Sequence, residues 1–201
     1  MKVDIRGKSF GETRVLGPIR FEVGAAEAVS LVGPSGIGKS TLLRIIAGLD
    51  ETFEGSVEGV GRVSFVFQEP TLLPWRSAKD NIEIATGVTS ARAYELLTSA
   101  GLDDKSEMYP AQLSLGQRRR IAIVRAFARE PETLLMDEPF ASLDAQSIIE
   151  MQNLLLDLLR CRPTRVILVT HDEVQATTLT DRTIRLEGVP AQVSDQSAVR
   201  N

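Results

Sequence analysis

Residues 33 to 41 read GPSGIGKST, a run of small residues ending in a cation and hydroxyls that suits the wrapping of a polyphosphate. Gly33, Gly36 and Gly38 let the main chain turn sharply and approach an anion without a Cβ in the way. Pro34, Ser35 and Ile37 fill the loop between them, and its exposed N–H groups can point inward as an anion nest. Lys39 supplies a cation for the β- and γ-phosphates. Ser40 supplies a hydroxyl for Mg²⁺, and Thr41 completes the pattern at the start of a helix, whose dipole adds positive potential. The match to G-x-x-x-x-G-K-[ST] is strengthened by its place after a strand and before a helix. A Gly-rich turn that binds nothing is the bland alternative.

A second constellation lies at TLLMDEP, residues 133 to 139, where an apolar strand ends in two carboxylates. Ligand sites in doubly wound sheets lie beyond the carboxyl ends of strands. Asp137 is then placed to hold Mg²⁺ through water, and Glu138 to act as general base on an attacking water. The alternative is an ordinary acidic turn before Pro139. A third stretch, LSLGQ at 113 to 117, is followed by RRRIAIVRAFARE. Ser114 and Gln117 fit a capping box. Arg118, Arg119 and Arg120 crowd the first turns of the helix, where the dipole disfavours cations. A nearby anion would relieve that conflict, as would solvent or local acids.

These residues need elements to position them. Short, often β-branched runs at Ala28–Val32, Val63–Phe67, Leu134–Met136 and Val166–Val169 read as strands, several buried on both faces, with Thr183–Leu186 a weaker candidate. Helical spacing appears at Lys39–Leu49, Ala91–Ala100, Gln117–Arg129 and Gln146–Arg160. The last carries a wide apolar face of Ile148, Ile149, Met151, Leu154, Leu155, Leu158 and Leu159, which reads as core packing. The order predicts an α/β fold, with a core at about 1–71 and 131–201 and an inserted helical lobe at about 72–130. Gly and Pro punctuation at Pro70, Pro74, Gly87, Gly101 and Pro110 supports the lobe.

The 201 residues carry 43% hydrophobic and 25% charged side chains and a formal net charge of -4. That balance argues against a general nucleic-acid binder. One cysteine, Cys161, leaves no internal disulfide and fits a reducing, cytosolic setting. No apolar run approaches the roughly 20 residues that span a bilayer. The N-terminal MKVDIRGKSF has charges where a signal peptide would be apolar. The chain is expected to be soluble, or peripheral to a membrane through a partner.

Taken together the motifs resemble those of the nucleotide-binding subunits of ATP-binding-cassette (ABC) transporters. GPSGIGKST resembles the family's Walker A motif, FVFQEPTLLPW its Q-loop region with Gln68 at the key place, and LSLGQ its signature. TLLMDEP resembles the Walker B motif, ASLDA the D-loop with Asp144 as its acid, and VTHDEVQA the H-loop with His171 as the switch histidine. Phe10 matches the aromatic that stacks on adenine. All occur in the family's order across nearly the whole chain. The resemblance implies a P-loop NTPase fold of ABC type, with a mixed-sheet core and an inserted α-helical subdomain. It implies ATP and Mg²⁺ as ligands and a head-to-tail homodimer in the ATP-bound state. Ser114 and Gly116 of one subunit, with Gln117 beside them, would meet the γ-phosphate held by the other. Gln68 would sense Mg²⁺ and the attacking water, and His171 would hydrogen-bond the γ-phosphate.

It further implies a Mg-dependent ATPase that powers transport from the cytoplasmic side of the inner membrane. The helical subdomain would dock on transmembrane permease subunits, with a periplasmic binding protein in the complex. PTLLPWRSAKDNI resembles the corresponding stretch of nitrate, sulfonate and taurine importers or of pyrimidine-precursor importers, and Trp75 within it reads as a packing or interface residue. Two departures stand out. The family's signature has Gly at its third position, where this chain has Leu115, whose side chain is expected to crowd the approach to the opposite phosphate. The sequence also runs only a short way past Thr183–Gly188, and no regulatory C-terminal domain is expected from it. A soluble regulatory or repair ATPase of the same superfamily is the rival reading. It lacks the long coiled coils or Cys pairs that repair-type relatives carry. A non-hydrolysing binding module is opposed by Lys39, Asp137, Glu138 and His171.

Overall fold

The computed structural model describes residues 1–198. Its elements run β1 (Lys2–Phe10), β2 (Thr13–Leu16), β3 (Ile19–Glu22), β4 (Ala28–Val32), α1 (Lys39–Ile46), β5 (Glu54–Glu58), β6 (Val63–Val66), α2 (Ala78–Thr86) and α3 (Ser90–Ser99). Then follow α4 (Leu115–Ala128), β7 (Thr133–Asp137), α5 (Ala145–Cys161), β8 (Arg165–Val169), α6 (Glu173–Leu179), β9 (Arg182–Glu187) and β10 (Gln192–Ala198). Contacts divide the chain into two units. One is Met1–Phe65 with Glu132–Glu138 and the segment from Pro163 on; the other is Val66–Pro131 with Pro139–Arg162. By contacts α5 therefore groups with the helices of the second unit.

The first unit contains a six-stranded sheet in the order β10-β9-β4-β8-β7-β6. β4 pairs in parallel with β8 and β9, β7 in parallel with β8, and β10 antiparallel with β9, so the sheet is mixed. All five residues of β8 are buried, as are Val29–Val32 and Thr133–Met136. Such two-sided burial is what continuous apolar runs dictate. A second sheet pairs β1 antiparallel with β2, β3 and β5. It was not legible as strands in the sequence, because each strand places only a few apolar residues inward. Val3 and Ile5 are buried between charged neighbours, and β5 offers only Val57. Leu42, Leu43, Ile45 and Ile46 of α1 share one buried cluster with Ile5, Ile19 and Phe21 and with Leu31, Leu135, Ile167 and Ile184.

α1 stops three residues short of the expected Leu49. Gly48 adopts φ 70 just beyond the cap, the N–H of Leu49 reaches back to the Arg44 carbonyl, and Leu49 is 61% exposed. A left-handed glycine is the usual helix stop.

In the second unit Ile82, Leu97, Leu102, Ile121 and Val124 form buried apolar positions. α2 escaped the sequence reading because its inward face includes a polar residue. Asn81, fully buried, accepts from the Leu73 N–H at 2.7 Å and donates to the carbonyls of Leu73, Arg76 and Ser77. It thereby holds the loop that carries Trp75. The wide apolar face expected of α5 is only partly covered. Met151, Leu154 and Leu155 are buried, Ile148, Leu158 and Leu159 are half-buried, and Ile149 is exposed.

Candidate nucleotide site

The phosphate loop leaves the end of β4 and enters α1 through backbone that only glycine accepts easily. Gly33 has φ 154, and a Cβ there would lie 2.6 Å from the Leu186 carbonyl oxygen. Gly38, the N-cap of α1, has φ 111, and a Cβ there would lie 2.6 Å from a methyl of Leu16. Steric fit and dihedral thus both demand glycine at the two ends of the loop. α1 has no side-chain cap and no acidic residue in its first turn. Its leading N–H groups therefore have no side-chain cap to satisfy them, which suits an anion.

Lys39 is nearly buried and donates from Nζ to the carbonyls of Gly33 at 2.7 Å and Pro34 at 2.9 Å. In this state the ammonium is latched onto its own loop. Burial lowers its pKa from the ordinary 10.5, and the nearby charges of Glu138 and Asp137 pull the other way. One residue on, Ser40 donates its hydroxyl to Asp137 at 3.0 Å, joining the first turn of α1 to the end of β7. A hydroxyl and a carboxylate in contact are the hard oxygen donors that Mg²⁺ takes beside substrate phosphates. Among the described residues no group of three or more His, Cys, Asp or Glu could hold a metal, so a cation here would draw its remaining oxygens from the bound phosphates and water.

Glu138 leaves β7 in the left-handed region, φ 48, and its N–H is held by the Val169 carbonyl at 3.0 Å. A non-glycine residue in such a conformation costs on the order of 1–3 kcal/mol and persists only where the surroundings enforce it. The effect is to bring the Glu138 carboxylate to His171, Oε2 to Nδ1, 2.8 Å. A carboxylate only accepts, so in this contact Nδ1 is the donor. His171 is positioned by the end of β8 and by Asp172, which caps α6 by accepting from the N–H groups of Val174 and Gln175. β4, β8 and β7 are neighbours in the sheet, so Asp137 ends one of three adjacent parallel strands, and Lys39, His171 and Glu138 lie beyond their carboxyl ends.

Phe10 ends β1 and is 54% exposed. It pairs with Thr13, and two and three residues further along β2 come Val15 and Leu16, which lie against Gly38. The aromatic therefore stands about 7–10 Å of strand from the phosphate loop, a gap that a ribose and its first phosphate can bridge.

Gln68, Ser114, Gly116 and Gln117 belong to the second unit. Gln68 is exposed just after β6. Ser114 caps α4, accepting from the Gln117 N–H at 3.2 Å, while Gln117 Oε1 accepts from the Ser114 N–H at 2.9 Å. The capping box is thus real, and it occupies the Gln117 side-chain oxygen. Gly116 is buried, with room for a Cβ only 3.2 Å from the Ser147 hydroxyl; Leu115 is half-buried. Two of the three crowded arginines are relieved locally. Arg119 donates to the Pro139 carbonyl at 2.7 Å, and Arg120 to the Ala100 carbonyl at 3.0 Å with Glu150 at 3.8 Å. Arg118 and Arg119 each keep a buried Nε that has no partner among the described residues.

The sequence reading missed Arg125. Its guanidinium donates to the Pro70 carbonyl and to the carbonyl and hydroxyl of Thr71, pinning the segment that follows Gln68. Nothing in its local pattern distinguishes it from a solvated helix arginine. Lys8 was missed as well, although it stands two residues before Phe10 on one strand.

A family model described as ABC transporter matches residues 16–141. The aliphatic sulfonates import ATP-binding protein SsuB 1 of Rhodococcus jostii is 46% identical over 186 residues, which cover 90% of this chain and 76% of that protein. A protein of the same name from Xanthomonas axonopodis pv. citri is 42% identical over 210 residues, covering 96% and 83%. Among solved structures, the dimeric post-hydrolysis state of the ATP-binding cassette MJ0796 bound to ADP and Pi aligns with a TM-score of 0.83 and 30% identity, over 98% of this chain and 97% of that one. With the family model spanning more than half of the chain and the relatives covering nine-tenths of it or more, the protein belongs to the ABC transporter family, as one of its ATP-binding, ATP-hydrolysing subunits.

Proposed function

We propose that the chain is the motor subunit of a bacterial importer for a small anionic solute of the sulfonate class, working as a homodimer on the cytoplasmic face of the inner membrane. The observation that carries the hydrolytic part is the Glu138–His171 contact of 2.8 Å at the strand ends that also bear Lys39 and the Ser40–Asp137 pair. The transport part is supported by the naming of relatives such as the Rhodococcus protein as sulfonate import subunits. Trp75, 68% exposed on the loop braced by Asn81, supports a docking surface for permease subunits on the helical unit. A periplasmic binding protein would deliver the solute from the other side.

In this reading the triphosphate displaces the Gly33 and Pro34 carbonyls from Lys39, which then neutralises the β- and γ-phosphates. The loop N–H groups and the start of α1 hold the phosphate oxygens, and Phe10 stacks on the adenine. Mg²⁺, held by Ser40 and Asp137, would offset the negative charge that develops on the phosphate oxygens. Glu138 accepts the proton of the attacking water, and His171 fixes the carboxylate through Nδ1 while Nε2 faces the γ-phosphate. Gln68 orients that water and reports the state of the site to the permease. Ser114 and Gly116 of the second protomer close over the γ-phosphate, so ATP adds binding contacts across the dimer and biases it toward the closed state.

Glu138→Gln keeps the shape of the site but cannot take the proton. ATP binding should persist, turnover should fall at least about 10²-fold, and Mg-ATP should trap a dimer visible by light scattering. A monomeric, fully active Glu138→Gln protein would refute both the base and the shared site.

A further inference from the structure

Beneath the aromatic ring of Phe10 lies a buried cation. Lys8 Nζ sits over the ring at 4.5 Å from its centroid. Lys8 is only 3% exposed, and its three donors are all spent, on Asp50 Oδ1 at 2.7 Å, the Thr52 carbonyl at 2.9 Å and the Thr52 hydroxyl at 2.8 Å. Burying an ammonium is costly unless it is fully paired, and a methionine of similar length would pack the same space without that cost. Phe10 itself remains 54% exposed, so covering by the cation leaves ring surface available to a ligand.

We infer that Lys8 is the positioning residue of the nucleobase platform: it polarises Phe10 for stacking and ties the platform to the helix of the phosphate loop. The inference rests on the reading of Phe10 as the adenine-stacking residue. Two physical effects follow from the geometry. Aromatic faces are negative, and face-to-face stacking of two such faces is repulsive. A cation against one face of Phe10 draws density away from the other, which lowers the repulsion toward a purine. The second effect is register. Asp50 lies four residues beyond the end of α1, and its N–H reaches the Arg44 carbonyl in the last turn of that helix. The Lys8–Asp50 contact therefore spans 42 residues to fix the strand that ends in Phe10 against the helix that begins at the phosphate loop. A platform held in place before binding loses less freedom on binding.

The test compares two probes on the full chain by calorimetry: MgATP, which carries the base, and magnesium tripolyphosphate, which does not. Lys8→Met should weaken MgATP about three- to tenfold and leave tripolyphosphate unchanged. The same change made in a Phe10→Leu background should have no further effect on MgATP. Lys8→Gln, which can still donate to Asp50 but carries no charge, gives the same readout should the methionine variant not fold. An equal loss for both probes, or a Lys8 effect that survives removal of the ring, would mean that Lys8 merely supports the fold and would overturn the inference. If Phe10→Leu weakens MgATP and neither Lys8 variant does, the inference fails alone. If Phe10→Leu leaves MgATP affinity unchanged, the stacking reading fails and takes the inference with it.

Discussion

The residues that could do chemistry were legible one by one, but their ground-state partners were not. The glycines of the phosphate loop, Lys39, Asp137, Glu138 and His171 stand in local motifs, because main-chain amides wrap a phosphate only when they follow one another in sequence. What the motifs did not disclose is that Lys39 is latched to Gly33 and Pro34, or that Glu138 is held in a left-handed conformation. The latch has a consequence in pH. Burial lowers the Lys39 pKa below 10.5, so between the lowered value and 10.5 the unfolded chain binds more protons and this group favours folding more as pH rises. A bound triphosphate acts in the opposite sense, since it stabilises the ammonium. Nucleotide binding should therefore take up a proton at alkaline pH, and MgATP affinity should fall as pH rises through the lowered Lys39 pKa. Calorimetry in buffers of different ionisation enthalpy would read the proton uptake directly. An affinity that is flat across that range would show that the lysine stays charged in the free site.

At the scale of elements, caps and strand ends set the site. α4 begins at a capping box, α5 at Asp144, which accepts from the Ser147 N–H at 2.9 Å, and α6 at Asp172. Ser114 carries two roles, one in the helix and one proposed across the dimer, and two substitutions separate them. Ser114→Ala removes the cap and should cost about 1 kcal/mol, read as a lower melting temperature. Ser114→Asp is an equally good cap, so the melting temperature should hold. Its carboxylate would face the partner's γ-phosphate, however, and ATP-dependent dimerisation should be lost. A Ser114→Asp protein that still dimerises with ATP would remove Ser114 from the shared site. The central strands β4, β7 and β8 were legible because they are buried on both faces and read as unbroken apolar runs. β1, β2, β3 and β5 were not, because an antiparallel strand with one wet face offers only two or three inward residues. The same weakness hid α2, whose inward face sets the polar Asn81 beside only Ala78 and Ile82.

At the scale of the molecule, the first unit is assembled from three stretches of chain, and one side chain does much of the stitching. Arg165 at the start of β8 donates to the carbonyls of Val23 and Gly24 after β3, to those of Gly59 and Val60 after β5, and to the Thr133 hydroxyl on β7 at 2.7 Å. It therefore binds the antiparallel sheet to the mixed one. Arg165→Met would leave those acceptors short of donors and should lower unfolding free energy by about 2–4 kcal/mol. The urea midpoint should drop at unchanged slope. A midpoint equal to that of the unchanged protein would assign the stitching to the apolar cluster shared by the two sheets instead.

The amino-acid sequence alone determined the phosphate loop, the acidic strand end, the histidine and the places of the central strands along the chain, because each is written in neighbouring residues or in an unbroken apolar run. Tertiary structure alone decided which of them touch. Glu138 meets His171 across 33 residues, Ser40 meets Asp137 across 97, and Lys8 reaches Asp50 across 42. Such pairs depend on which strands lie side by side and on where each chain leaves its sheet. That is settled by how the whole core packs, and no short window of sequence contains it.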